Sequence, residues 1–175
     1  LKASDSTWLR ENGTRAPFVR RAVSRFMPGE SFDDMIGAAR TMAADGVTAV
    51  FTRLGENVKD LAEADDVARH YLDAIDRIEQ LNLACEPSIK LTQLGLDIDR
   101  ELADGHLREL AARAHAAGNF LWIDMEQSNY VDVTLDLARR LRAEFPRVGV
   151  CLQAYLYRTR EDLVEFHRRH YAGRY

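Results

Sequence analysis

Leu83-Ala84-Cys85-Glu86-Pro87-Ser88-Ile89-Lys90 is a short, largely apolar run that stops at a lysine, and the polar, glycine-containing Leu91-Thr92-Gln93-Leu94-Gly95-Leu96 follows it. Length and composition read it as a strand over residues 84–91 that opens into a loop. Burying a lysine costs several kcal/mol unless it is paired or solvated. A lysine that closes a core strand therefore asks for a partner or a ligand.

Outward from this strand the same punctuation recurs. Residues 47–51 are a β-branched apolar run, read as a strand, and residues 31–45 before them read as a helix. Ser31 with Asp34 forms a capping box, Gly46 closes the helix, and Met35, Ile36, Ala39 and Met42 form its stripe. A turn at residues 53–57 leads to a helix over 61–81, whose face carries Val67, Tyr71, Ala74, Ile75 and Ile78. Beyond Lys90 come a helix over 100–117 closed by Gly118, a strand over 120–123 ending at Asp124, and a helix over 131–145 stopped by Pro146. A fourth strand over 148–155 and a last helix capped by Thr159 complete the order. Residues 1–27 have no sustained period and read as a polar segment with one short amphipathic turn.

One helix and four strand–helix units imply a parallel α/β sheet. Two architectures fit: a doubly wound sheet, or part of a (βα)8 barrel of the TIM type, which needs about 250 residues against the 175 present. In either one, chemistry sits at the carboxyl ends of the strands. Three of those ends carry polar groups here: Lys90, Asp124, and Gln153 with Tyr155 beyond it. Each also has a plain structural reading. Lys90 can snorkel to solvent, Asp124 can cap the next helix in competition with Ser128, and Gln153 can satisfy a backbone group.

Composition narrows the classes. A net charge of −4 gives no footprint for nucleic acid or an anionic membrane. No apolar run approaches the roughly 20 residues of a membrane span, and the amino end lacks a secretory pattern. Cys85 and Cys151 both lie in apolar runs and are expected as small core residues in a reducing, cytoplasmic setting. The five histidines show no metal-ligand clustering and are expected to be solvated, so no metal is expected. Neither GxGxxG nor a P-loop is present, which argues against a nicotinamide Rossmann domain.

Five stretches together resemble the proline dehydrogenase family: Phe26-Met27-Pro28-Gly29-Glu30, Leu54-Gly55-Glu56-Asn57-Val58, the lysine strand Ser88–Leu96, Ile123-Asp124-Met125-Glu126, and Leu152-Gln153-Ala154-Tyr155-Leu156-Tyr157-Arg158. They occur in the family's order. The resemblance implies a distorted (βα)8 barrel with FAD at the strand ends and oxidation of L-proline to Δ1-pyrroline-5-carboxylate by hydride transfer to the flavin. By the same resemblance, Lys90 binds the proline carboxylate and Asp124 is the active-site aspartate. Met125 approaches the flavin through its backbone, and Gln153 hydrogen-bonds the isoalloxazine. A quinone is the implied electron acceptor, and a peripheral position at the inner membrane face is compatible with a cytoplasmic enzyme.

Two departures stand out. Thr52 and Arg53 occupy positions where the family commonly has an aspartate and an aromatic. The chain also stops at Tyr175, before the family's fifth-strand flavin motif and the last helix with its paired arginines. Residues 28–175 are therefore expected to be the amino-terminal half of such a barrel, with weak FAD retention and no activity alone. Its open edges invite oligomerisation or a missing second half. Two rival readings stand beside this one: a Schiff-base lyase with Lys90 as nucleophile, and a non-catalytic half-barrel used as an interaction surface.

Overall fold

A computed structural model describes Gly29, residues 31–55 and residues 58–171, with side chains through Phe166. The expected 1–27 segment, most of the Phe26–Glu30 stretch, Glu56, Asn57 and the side chains of His167 and His170 lie outside the described residues. The chain divides into two units, Leu1–Val47 and Thr48–Tyr175.

In the first unit, α1 (Phe32–Ala44) opens on the expected capping box. The Asp34 N–H donates to Ser31 Oγ at 3.2 Å, and the Ser31 N–H donates to the Asp34 carboxylate at 3.1 Å. Gly46 closes the helix at φ 74°, a conformation that favours glycine. Of the expected stripe, Ala39 is buried, Met35 and Ile36 are half-buried, and Met42 is exposed.

The second unit runs β1 (Ala49–Phe51), α2 (Leu61–Gln80), β2 (Cys85–Ile89), α3 (Arg100–Ala116), β3 (Leu121–Ile123), α4 (Val131–Glu144), β4 (Val148–Val150) and α5 (Thr159–Tyr171). A 3-10 turn, Thr92–Leu94, follows β2, and a second, Ser128–Tyr130, precedes α4. All three strand pairings are parallel, and the spatial order is β1-β2-β3-β4. A doubly wound sheet reverses direction at a switch point, whereas this order never does. The winding is that of four consecutive units of a (βα)8 barrel.

Alternation across the pleat sorts the side chains. Ile89, Leu121, Ile123 and Val148 point into one core with Tyr71, Ile75, Leu107, Leu110, Leu137 and Leu141 from α2, α3 and α4. The opposite face carries Glu86, Ser88, Lys90, Trp122, Asp124 and Gly149. There Trp122 donates its indole N–H to Glu86 at 2.6 Å and stacks on Phe120. Trp122 also lies over Gly149, where a Cβ would come within 2.3 Å of the ring, so β4 needs a residue with no side chain at that level.

β2 passes its pairing from one neighbour to the other. Cys85–Pro87 pair with β1, and Ser88–Ile89 pair with β3. Pro87 has no N–H to give and sits at the changeover. The Asn119 amide fills in below it by donating to the Cys85 carbonyl at 2.9 Å.

Several expectations change. β1 starts at Ala49 rather than 47, and β2 runs Cys85–Ile89 rather than 84–91. β4 ends at Val150 rather than 155, because the last bond to β3 is the Cys151 N–H on Ile123 O at 2.8 Å and β3 offers no further rung. Cys151, just past that point, is exposed, while Cys85 is buried as expected. Thr159 is the first residue of α5 rather than its cap, and its hydroxyl donates back to the Gln153 carbonyl at 2.6 Å.

Candidate active site

Register decides which strand-end groups meet. Ile89 pairs with Ile123, so the next residues, Lys90 and Asp124, come opposite each other on the face turned away from the helices. The ladder extends one rung further beside them: the Asp124 N–H donates to Ile89 O at 2.8 Å. Both side chains are half-buried. Neither Asp124 nor Ser128 caps α4. Ser128 begins the 3-10 turn, and Tyr130, the residue before α4, makes no side-chain cap.

The loop after β3 is held from both sides. Met125 buries its side chain against Val131 and Leu135, which leaves its backbone at the strand end. Gln153 donates its amide to Met125 O at 3.0 Å and accepts from the Tyr155 hydroxyl at 2.9 Å. The plain reading of Gln153, that it satisfies a backbone group, is thus true of this structure. It does not exhaust the side chain, because a carboxamide has two N–H donors and two acceptor lone pairs. One of each is left. On the other side of the loop, Glu126 accepts from both the backbone N–H (3.0 Å) and the hydroxyl of Thr92.

The 3-10 turn after Lys90 is tied in three directions. Thr92 goes to Glu126. Gln93, 2% exposed, donates its amide to Arg53 O at 3.0 Å and Gly55 O at 2.5 Å. Leu94 O meets His106 Nδ1 at 3.2 Å, and His106 Nε2 meets the Asp65 carboxylate at 2.9 Å. His106, expected to be solvated, instead joins the turn to α2.

Tyr71 organises the base of the site. Its buried hydroxyl donates to Ser88 O at 3.0 Å, accepts from the Arg53 N–H at 2.9 Å, and lies 3.4 Å from Thr52 Oγ1. Burial pushes this hydroxyl above its ordinary range, and the Asp124 carboxylate pushes the same way. It stays a donor. Thr52 and Arg53, the departures on the first strand, are thus held by Tyr71.

All four expected site residues therefore gather along two junctions, Lys90 with Asp124 and Met125 with Gln153. Sequence reading gave no role to Tyr71, Thr92, Gln93 or Glu126. For Thr92 and Glu126 a signal existed: each stands two residues beyond a charged strand end, on neighbouring strands. For Tyr71 there was none, since its spacing marks only a buried helix face. Among the described residues, no group of three or more His, Cys, Asp or Glu side chains gathers as a metal site, and no helix is long and apolar enough to cross a membrane.

The family model described as proline dehydrogenase matches residues 35–172. Proline dehydrogenase 1 of Bacillus subtilis (strain 168) is 34% identical over 161 residues, covering 89% of this chain and 53% of that protein. Proline dehydrogenase of Deinococcus radiodurans is 34% identical over 143 residues, covering 79% of this chain and 46% of that protein. The chain thus spans about half the length of the curated relatives it matches. Among solved structures, proline utilization A from Bdellovibrio bacteriovorus superposes with a TM-score of 0.71 at 23% identity, over 81% of this chain and 18% of that one. The winding, the strand-end residues and these matches agree: the chain belongs to the proline dehydrogenase family.

Proposed function

We propose that this chain forms the amino-terminal half of a flavin-dependent proline dehydrogenase barrel, which oxidises L-proline to Δ1-pyrroline-5-carboxylate. The observation that supports the proposal is the Ile89–Ile123 register, which sets Lys90 and Asp124 side by side one residue past the ends of β2 and β3. A cation and a carboxylate one strand apart suit a zwitterion. Lys90 takes the proline carboxylate, and Asp124 orders the polar groups around the ring. Positioning of this kind lowers the barrier by removing the orientational search.

The residues fit a flavin. Gln153, fixed in orientation by Met125 O and Tyr155, keeps one donor and one acceptor for a ring edge, and the Met125 backbone lies beside it. Bound FAD would supply the hydride acceptor. Electron transfer onward to a quinone, and a peripheral position at the inner face of a membrane, belong to the same proposal and are supported by the family resemblance alone.

The test is proline-dependent dye reduction, measured on this chain and on a complete barrel made by joining it to the second half of the Bacillus subtilis relative. Turnover by the complete barrel and none by the chain alone is expected. Borohydride trapping of a carbonyl substrate on Lys90 would instead support the lyase. A complete barrel that binds FAD yet is not reduced by proline would leave only the interaction-surface reading.

A further inference from the structure

We propose that Glu126 is a positioning residue, which locks the loop carrying Lys90 to the loop carrying Asp124 through Thr92. The proposal rests on the functional reading above for its consequence, though not for the lock itself.

The turn after Lys90 lacks a cap of its own. A 3-10 turn starts at Thr92, and the first N–H groups of any such turn have no partner within it. Leu91, the residue before it, makes no side-chain cap. Glu126, 34 residues further along the chain, supplies one. Its carboxylate takes the Thr92 N–H at 3.0 Å and the Thr92 hydroxyl as well. A half-buried carboxylate with two donors makes a charge-assisted, two-point contact, which fixes orientation as well as distance.

Its location gives the contact a purpose. Thr92 is two residues beyond Lys90, and Glu126 is two residues beyond Asp124. The contact therefore closes a ring with the Asp124–Ile89 backbone bond, and Lys90 and Asp124 lie inside that ring. With the ring open, each loop can shift on its own strand end. Tyr130 also ties the two loops, by donating to Asp97 at 2.9 Å, but at an exposed site several residues from the pair. It serves as a natural control.

Two measurements on the same variants test the lock and its consequence separately. Backbone hydrogen exchange is read on this chain alone. Glu126→Ala should speed exchange of the Thr92 amide about tenfold, the value of one ordinary hydrogen bond, without changing protection in α2 or α3. Proline kinetics are read on the complete barrel. Glu126→Ala and Thr92→Val should each raise KM about tenfold with a smaller fall in kcat, and the double variant should be no worse than either. Thr92→Ser, which keeps both donors, should restore the parent KM, and Tyr130→Phe should leave KM unchanged. Unchanged exchange at Thr92 in Glu126→Ala overturns the lock. Faster exchange with KM unmoved overturns the positioning role. A parent barrel without turnover overturns the dehydrogenase reading, while the exchange result still decides the lock.

Discussion

On its helix-covered face the sheet presents Ile89, Leu121, Ile123 and Val148, none more than 1% exposed, while its other face carries Glu86, Lys90, Trp122 and Asp124 and leaves Val50 58% exposed. The first face is held by burial, a force without direction, spread over many side chains. The second is held by bonds that run sideways between neighbouring strands and loops: Trp122 to Glu86, Thr92 to Glu126, and Gln153 to Met125. Such bonds fix angles and register but contribute little net stability each. Substitutions on the first face should therefore cost folding energy, and those on the second should cost alignment.

The largest effect belongs to the covered face. Leu107→Ala should lose about 2–5 kcal/mol in urea unfolding, whereas Val50→Ala should stay within about 0.5 kcal/mol. Equal losses would erase the distinction between the faces. Two intermediate cases are a core hydroxyl that reaches the strand ends and a glycine packed under an open-face indole. Tyr71→Phe strands the Arg53 N–H and Ser88 O and should cost about 1–3 kcal/mol. Gly149→Ala pushes Trp122 off its place beside Glu86, with a similar loss of about 1–3 kcal/mol and a shift in tryptophan fluorescence. Retained fluorescence would mean that the indole has room to spare.

The two cysteines sharpen the contrast chemically. Burial, with the neighbouring Glu86 charge, pushes the Cys85 thiol from 9.0 up to about 11. In the native chain a thiol reagent should label Cys151 quickly and Cys85 only on unfolding. Fast labelling of both would contradict the covered core. Cys85 has no effect on stability below pH 9.0, where it is protonated in both states. From 9.0 to about 11 the unfolded chain alone loses the proton, so stability should fall and then level off.

The smallest effect is at His70, whose pKa burial lowers below 6.5, with Arg53 adding to it and Asp73 opposing it. Above pH 6.5 the ring is neutral in both states. Below it the unfolded chain takes up a proton that the native ring refuses, so stability should decline on acidification until the native pKa is reached. His70→Gln should flatten that slope.

Sequence patterning carried the covered face well, because helix and strand periods are burial patterns: the Val67–Ile78 stripe appears as expected, and β2 appears in place but as Cys85–Ile89 rather than 84–91. Strand ends were legible wherever a charge interrupts an apolar run, as at Lys90 and Asp124. The sideways bonds were not. Thr92, Gln93 and Glu126 are polar residues in loops, and only the register of β2 on β3 says which of them face each other. β4 was read too long because Cys151 and Leu152 continue the apolar run after the ladder has ended. His106 carries no period at all, and its two partners come from separate elements.

The claim that Lys90 and Asp124 form one wall of a flavin–proline pocket is tested most directly by anaerobic proline titration of the FAD-loaded complete barrel. Proline should bleach the visible flavin band of the parent. Lys90→Ala should need about thirtyfold more proline or better, the usual loss when one member of a hydrogen-bonded charge pair is removed. Bleaching of Lys90→Ala at the parent's proline concentration would contradict the account.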